Sequence, residues 1–192
     1  MSSDDRLGQI LAFLETADRL KSVDRRTRVG ARQENPAEHS WHIALYVLLL
    51  AGELEESVAT GRAIELCLVH DLVEIHADDT YAFDTAGKAG QHEREAAAAD
   101  ELFATLPDDL GGRLRALWDE FEAGETPEAK LAVAVDRLQA LAQNLASEGA
   151  VWQENAIRLE QVRERNAETL AGDPALASLV ERLLDRGAPY LL

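Results

Sequence analysis

Cysteine is almost missing from this chain. The single Cys67 cannot form an intrachain disulfide, so a reducing cytosolic compartment fits and the protein is expected to be cytoplasmic. Positive charge is scarce as well. Lys and Arg number 19 against 36 Asp and Glu, and the net charge of −17 argues against binding DNA or RNA, which needs basic patches. An anionic substrate would require local arginines or a metal to reverse that field at the site. The chain also lacks a long apolar run. Ile43 to Gly52 is the longest and reaches about half a membrane span. Met1 to Arg6 shows no basic segment leading into an apolar stretch, so neither a signal peptide nor a membrane partner is expected. Aromatics make up only 5% of residues, glycine and proline are sparse, and no alternating Val- or Thr-rich segment has strand length.

What is present is Ala, Leu, Glu and Arg, a mixture that favours helix. At 192 residues and 46% hydrophobic content, one domain with a sizeable core is expected over 1–192. Its core would cover 14–150, with C-terminal helices over 153–186 packed on it. The patterning predicts an all-α, single compact bundle of about eight helices. Asp4-Asp5 opens a first helix, Arg6 to Lys21, and a polar loop runs to Asn35-Pro36. Helices follow over 37–56 and 63–76, then a loop over 77–90. Further helices are predicted over 91–106, 108–123, 127–147, 153–171 and 174–186, with Gly124 and Gly187 as stops.

The chemistry concentrates where charged residues interrupt apolar helices. His70-Asp71 lies inside Ala63 to Ile75, a run apolar on nearly every side and without an arginine or lysine of its own. Burying a His, an Asp and a Glu there costs several kcal/mol unless each is paired or bound to a cation. His39 precedes the apolar run that begins at Trp41, and Asp136 follows Leu131 to Val135. Two imidazoles and two carboxylates on three core helices suit one divalent ion such as Mn²⁺, Co²⁺, Fe²⁺ or Zn²⁺ better than Ca²⁺. Glu74 lies four residues beyond His70 on the same helix face, and Asp79 follows in the loop. Cys67 is disfavoured as a nucleophile because its apolar neighbours raise its pKa. Trp41, Trp118 and Trp152 read as packing residues, His42 as packing or support behind the site, and His76 and His92 as solvated.

Glu34-Asn-Pro-Ala-Glu38-His39-Ser40, His70-Asp71-Leu-Val-Glu74 through Asp79, Glu128-Ala-Lys130 with Asp136, and Leu20 to Arg26 occur in an order that resembles the HD-domain metal-dependent phosphohydrolases. The branch resembled is the one containing 5′-deoxynucleotidases, and the match covers roughly Leu14 to Leu145. The resemblance implies that His39, His70, Asp71 and Asp136 hold the metal, for which Mg²⁺ is a further candidate. It implies that Glu74 activates water, that Asp79 assists or contacts the sugar, and that Arg25 receives the phosphate. Arg26 is a second candidate for that last role, with Arg28 and Arg32 close by. The family's Gly-Asp is Asp78-Asp79 here. Glycine would allow a left-handed backbone that Asp tolerates only in part, and the extra carboxylate adds negative charge near the substrate.

The expected activity is therefore hydrolysis of (deoxy)nucleoside 5′-monophosphates to nucleoside and phosphate. Phosphodiester or nucleotide-polyphosphate hydrolysis is the first alternative, to be separated by activity on cyclic or polyphosphorylated nucleotides. The second is a metal-containing nucleotide-binding protein with little catalysis, against which Glu74 and Asp79 stand as carboxylates a structural site does not need. Long helices and the apolar end Ala188-Pro-Tyr-Leu-Leu192 suggest a homodimer.

Overall fold

Local signals set the helix starts. At Asn35 a reciprocal cap forms: the Asn35 side chain accepts from Glu38 N at 3.0 Å, and the Glu38 carboxylate accepts from Asn35 N at 2.9 Å. The Glu38 carboxylate is thus occupied by the cap and by Arg32. Pro36 then opens α2 (Pro36–Leu50), following α1 (Ser3–Ala17). The computed structural model describes residues 3–191; Met1, Ser2 and Leu192, and the readings that rest on them, lie outside.

The loop between α1 and α2 is not wholly irregular. Strands β1 (Arg28–Val29) and β2 (Arg32–Gln33) pair antiparallel, Arg28 opposite Gln33 and Val29 opposite Arg32, around a two-residue turn in which Gly30 has φ +60°. Two residues per strand fall below what alternation can signal.

The helix expected over 63–76 is divided. α3 (Thr60–Val69) gives way to a 3₁₀ turn at His70–Val73 and then to α4 (Glu74–Ala77). After the loop come α5 (Gln91–Phe103) and α6 (Asp108–Ala123), the latter ending on left-handed Gly124 at φ +61°. α7 (Pro127–Ala146) starts where Thr126 Oγ accepts from Ala129 N at 3.1 Å. The helix expected over 153–171 is instead three: α8 (Ala150–Glu154), α9 (Leu159–Arg165) and α10 (Ala167–Ala171). Ala156 takes φ +53°, and Asn166 leaves helical geometry, its amide donating to Val162 O at 2.8 Å. α11 (Pro174–Gly187) closes the fold.

Two hydrophobic clusters share α7. The first buries Ile43 and Val47 of α2, Leu66 and Cys67 of α3, Leu102 and Phe103 of α5, Leu117 and Trp118 of α6, and the first half of α7 from Ala129 to Val135. The second buries Leu138 and Leu141 of the same helix with Trp152, Val162, Val180 and Leu184. Asp136 stands at the seam. Among the described residues no helix is long and apolar enough to cross a membrane.

Candidate metal centre

α2, α3 with its 3₁₀ turn, and α7 bring their charged residues to one point. His39 Nε2 lies 3.0 Å from Asp136 Oδ1, and the His39 and His70 ring centroids are 5.6 Å apart. Among the described residues, His39, His70 and Asp136 each offer a ligand atom within 4.8 Å of the others. Asp71, the fourth expected ligand, borders the group: its Oδ1 is 2.9 Å from His70 Nε2 and its Oδ2 is 4.0 Å from His39 Nε2.

The surroundings dictate which ring nitrogen faces inward. The buried Glu34 carboxylate accepts from Gln139 Nε2 at 2.7 Å. That contact turns the amide oxygen of Gln139 towards His39 Nδ1, 2.7 Å away, so Nδ1 carries the proton and donates it. His39 Nε2 is left as the metal-competent nitrogen. His70 repeats the device with backbone: its Nδ1 donates to Cys67 O at 2.8 Å. His70 Nε2 is then buried with no hydrogen-bond partner, because Asp71 Oδ1, though near, lies off the line a ring N–H requires. Two Nε2 lone pairs facing carboxylate oxygens are repulsive without a cation between them, so these residues fit a divalent metal. Anchoring the outer nitrogen is also how metal-ligating histidines are usually oriented.

The electrostatics agree. Burial works against a charged His70 ring, but Asp71 and then Asp136 outweigh it and raise its pKa. Burial alone would raise Asp136. Where a proton rather than a metal lies between it and His39, the hydrogen bond from His39 and the charges of His39, His70 and Arg25 outweigh burial and hold Asp136 below the usual carboxylate range. Glu74 goes the other way. Burial, then the negative charge of Asp71, push it well above the usual value, and its Oε2 is sealed without a partner. Asp79 is raised by burial too, only partly offset by Arg25.

The basic partner missing from the His70-Asp71 run comes from 46 residues earlier in the chain. Arg25 Nη1 donates to Asp71 Oδ2 at 3.0 Å and lies 3.7 Å from Asp79 Oδ1, while Nε lies 3.4 Å from Glu34. Arg25 is thus enclosed by carboxylates, whereas its neighbour Arg26 is exposed. Both line a cavity of about 360 Å³ together with His70, Asp71, Glu74, Asp79 and Asp136. That volume is within the range of small-molecule sites. Arg28 and Arg32 pair instead with Glu154 and Glu38.

Asp78 answers the question its identity raised. It is exposed and absent from the cavity lining, so its charge does not face the cavity. Its backbone does take the glycine-like form, at φ +60° and ψ 157°. His42 supports the site from behind, its Nδ1 3.3 Å from Gln139 Nε2. Trp118 and Trp152 are buried as expected, but Trp41 is 63% exposed. His92 is exposed and stacks on Trp118, and His76 sits 3.4 Å from Glu101. Burial holds the Cys67 thiol pKa up, in keeping with an inert core cysteine. Two participants escaped the sequence reading, Gln139 and the buried role of Glu34. A polar residue at each core-facing position was their only signal.

Comparison with known proteins accords with this centre. A family model described as HD domain matches residues 17–176. The 5′-deoxynucleotidase HDDC2 of Mus musculus is 29% identical over 174 residues, 91% of this chain and 86% of the relative. That of Danio rerio is 31% identical over 137 residues, 71% and 68% of the two chains. A crystal structure of a predicted metal-dependent phosphohydrolase from Magnetospirillum magnetotacticum superposes with TM-score 0.90 at 39% identity, covering 97% of this chain and 95% of that one.

Proposed function

The chain belongs to the HD-domain family, and from that premise we propose that it is a metal-dependent phosphomonoesterase that hydrolyses (deoxy)nucleoside 5′-monophosphates to nucleoside and phosphate. One observation carries the reading: two inward Nε2 atoms converge with Asp136, and His70 and Asp136 of this group line a cavity of nucleotide scale together with Glu74, whose buried Oε2 has no partner among the described residues. The 5′-deoxynucleotidases among the relatives support the substrate class.

His39, His70, Asp71 and Asp136 would hold one divalent ion, Mn²⁺, Co²⁺, Fe²⁺, Zn²⁺ or Mg²⁺. When bound, such an ion polarises a phosphoryl oxygen and brings the pKa of a coordinated water towards about 7. The remaining work falls to the chain. Arg25 and Arg26 offer positive charge to the phosphate, and Arg25 also holds Asp71 and Asp79 in place. The oxygen of a water bonds to phosphorus while the P–O5′ bond breaks. Glu74 takes the proton of that water, and Asp79 supplies the proton the departing 5′ oxygen needs. Proton return from Glu74 to Asp79 through solvent resets the pair.

The chain acts as one domain in this reading, in the cytoplasm, with no nucleic-acid or membrane partner. A homodimer is part of it, on a surface other than the chain end, since Tyr190 and Leu191 pack on the second cluster. On α2, Trp41, Leu45, Leu48 and Leu49 form an exposed apolar stripe at helical spacing that a second copy would cover. Light scattering should then show a dimer that Leu48→Glu dissociates.

Phosphate release from deoxy- and ribonucleoside 5′-monophosphates, after reloading apo protein with each metal in turn, tests the activity. Cyclic and polyphosphorylated nucleotides serve as controls. Metal-dependent release from monophosphates alone, lost in Glu74→Ala with folding intact, is the expected result. No release from any monophosphate with any metal refutes it.

A further inference from the structure

Arg25 and Arg26 do not account for all the positive charge at the cavity. Lys88 from the loop before α5, Arg137 one residue after Asp136, and Arg165 at the end of α9 line it as well. In a chain of net charge −17, most arginines and lysines withdrawn from solvent lie beside carboxylates, as Arg62 does with Glu120 and Arg115 with Asp100 and Asp119. Arg165 does not. Among the described residues it is the one half-buried cation with no carboxylate within 4 Å, and its guanidinium has no hydrogen-bond partner. Lys88 is exposed, and among the described residues it too lacks an ion pair within 4 Å. Arg137 is held by Glu168 at 2.7 Å through Nη1, but its Nε is buried without a partner.

We propose that Lys88, Arg137 and Arg165 form a phosphate-receiving subsite on the wall of this cavity, and that this subsite shares the phosphate dianion of the substrate and of the product with Arg25 and Arg26. Like charges on one cavity wall, of which only Arg137 has a carboxylate partner, raise the free energy of the empty protein, and an anion among them lowers that cost. Burial together with Arg165 and Arg137 lowers the Lys88 pKa, and burial, with a smaller part from Arg137, lowers that of Arg165 despite Asp136 and Glu168. Arg137 follows Asp136 on α7, and all three cations share the cavity lining with Asp136 and His70, which sets the subsite next to the metal centre. Arg25, by contrast, is already balanced by Asp71, Asp79 and Glu34. Guanidinium groups grip phosphate with paired N–H donors, and the lysine adds a mobile point charge.

The inference rests on the activity proposed above for its substrate but not for its ligand, because inorganic phosphate probes it directly. Calorimetric titration of phosphate into metal-loaded protein, and phosphate inhibition of nucleotide turnover, should both weaken about tenfold or more in Arg165→Ala and in Lys88→Ala. Substrate KM should rise in step while kcat stays within about threefold. Arg165→Lys should recover part of the affinity, and Arg182→Ala, an exposed arginine on α11 outside the cavity, should change nothing. Unchanged phosphate affinity in the folded Arg165→Ala, Lys88→Ala double variant overturns the subsite. So does a kcat loss without a KM change. Weakened phosphate binding in a protein that hydrolyses no monophosphate would keep the subsite and discard the phosphomonoesterase reading.

Discussion

The two hydrophobic clusters meet along α7 but give the cavity different things. The first supplies its floor: His70, Asp71, Glu74 and Val133 of α7 line it from tightly packed helices, His39 is fully buried in the same packing, and each inward nitrogen is fixed by a hydrogen bond behind it. The second supplies its wall: Trp152, Val162, Arg165 and Asn166 come from short helices divided by turns. Floor residues are over-determined by their neighbours, whereas Lys88 and Arg165 on the wall have no ion-pair partner within 4 Å among the described residues. A centre that must present ligand atoms to within a fraction of an ångström needs the first kind of support. A wall that must admit and release a nucleotide is better served by the second.

If that division holds, damage to the floor and to the wall should separate in different measurements. The largest effect is expected at the seam. Asp136→Asn removes a charged ligand atom while keeping its shape, so metal content and phosphate release should both fall by more than the roughly hundredfold typical of supporting partners. A folded variant that retains stoichiometric metal would remove Asp136 from the centre. Leu184→Ala attacks the wall from behind. This leucine is buried in the second cluster, and its truncation should cost about 2–5 kcal/mol in denaturant unfolding. Substrate KM should rise more than metal affinity falls. Equal losses in both would mean that the clusters behave as one unit. Gln139→Leu then tests the floor's support. It removes the acceptor of His39 Nδ1 and strips Glu34 of its donor, so metal affinity should drop about ten- to hundredfold. Leu184→Ala should leave that affinity nearly untouched.

The same division explains what could be read from the sequence. His39, His70, Glu74 and Asp136 stood out because each interrupts or borders an apolar helical run, where an uncompensated charge is too costly to be accidental. The helix starts at Asn35-Pro36 and Thr126-Pro127 and the stop at Gly124 were equally visible, since capping is local chemistry. Long-range partners were hidden. Nothing near Asp71 in the chain announces Arg25, and nothing near His39 announces Gln139, 100 residues away. The divided helices were missed for a related reason. The apolar pattern runs on through His70–Val73 and through Asn166, while the 3₁₀ turn and the break at Asn166 are set by tertiary packing and by side chain–backbone bonds. Arg165 looked like one more charged residue of an acidic, helical tail.

The smallest expected effect lies at the joint between floor and wall. Asp78 ends α4 by donating its N–H to Glu74 O at 3.0 Å, and it does so at φ +60° and ψ 157°. Only glycine occupies that region freely, and other residues held there cost on the order of 1–3 kcal/mol. Glycine gives back about 0.5–1 kcal/mol through its freer unfolded chain. Asp78 is exposed and forms no ion pair within 4 Å among the described residues, so the side chain itself contributes little. Asp78→Gly should therefore stabilise the protein by about 1 kcal/mol in denaturant titration. Asp78→Ala, which keeps a Cβ in the same backbone conformation, should bring no gain. Stabilisation by both variants would mean that the carboxylate, surrounded by other negative charge, is the source of the cost. Stabilisation by neither would mean that the loop relaxes away from this conformation in solution, and that Asp79 reaches the cavity from a more yielding joint than the floor beneath it.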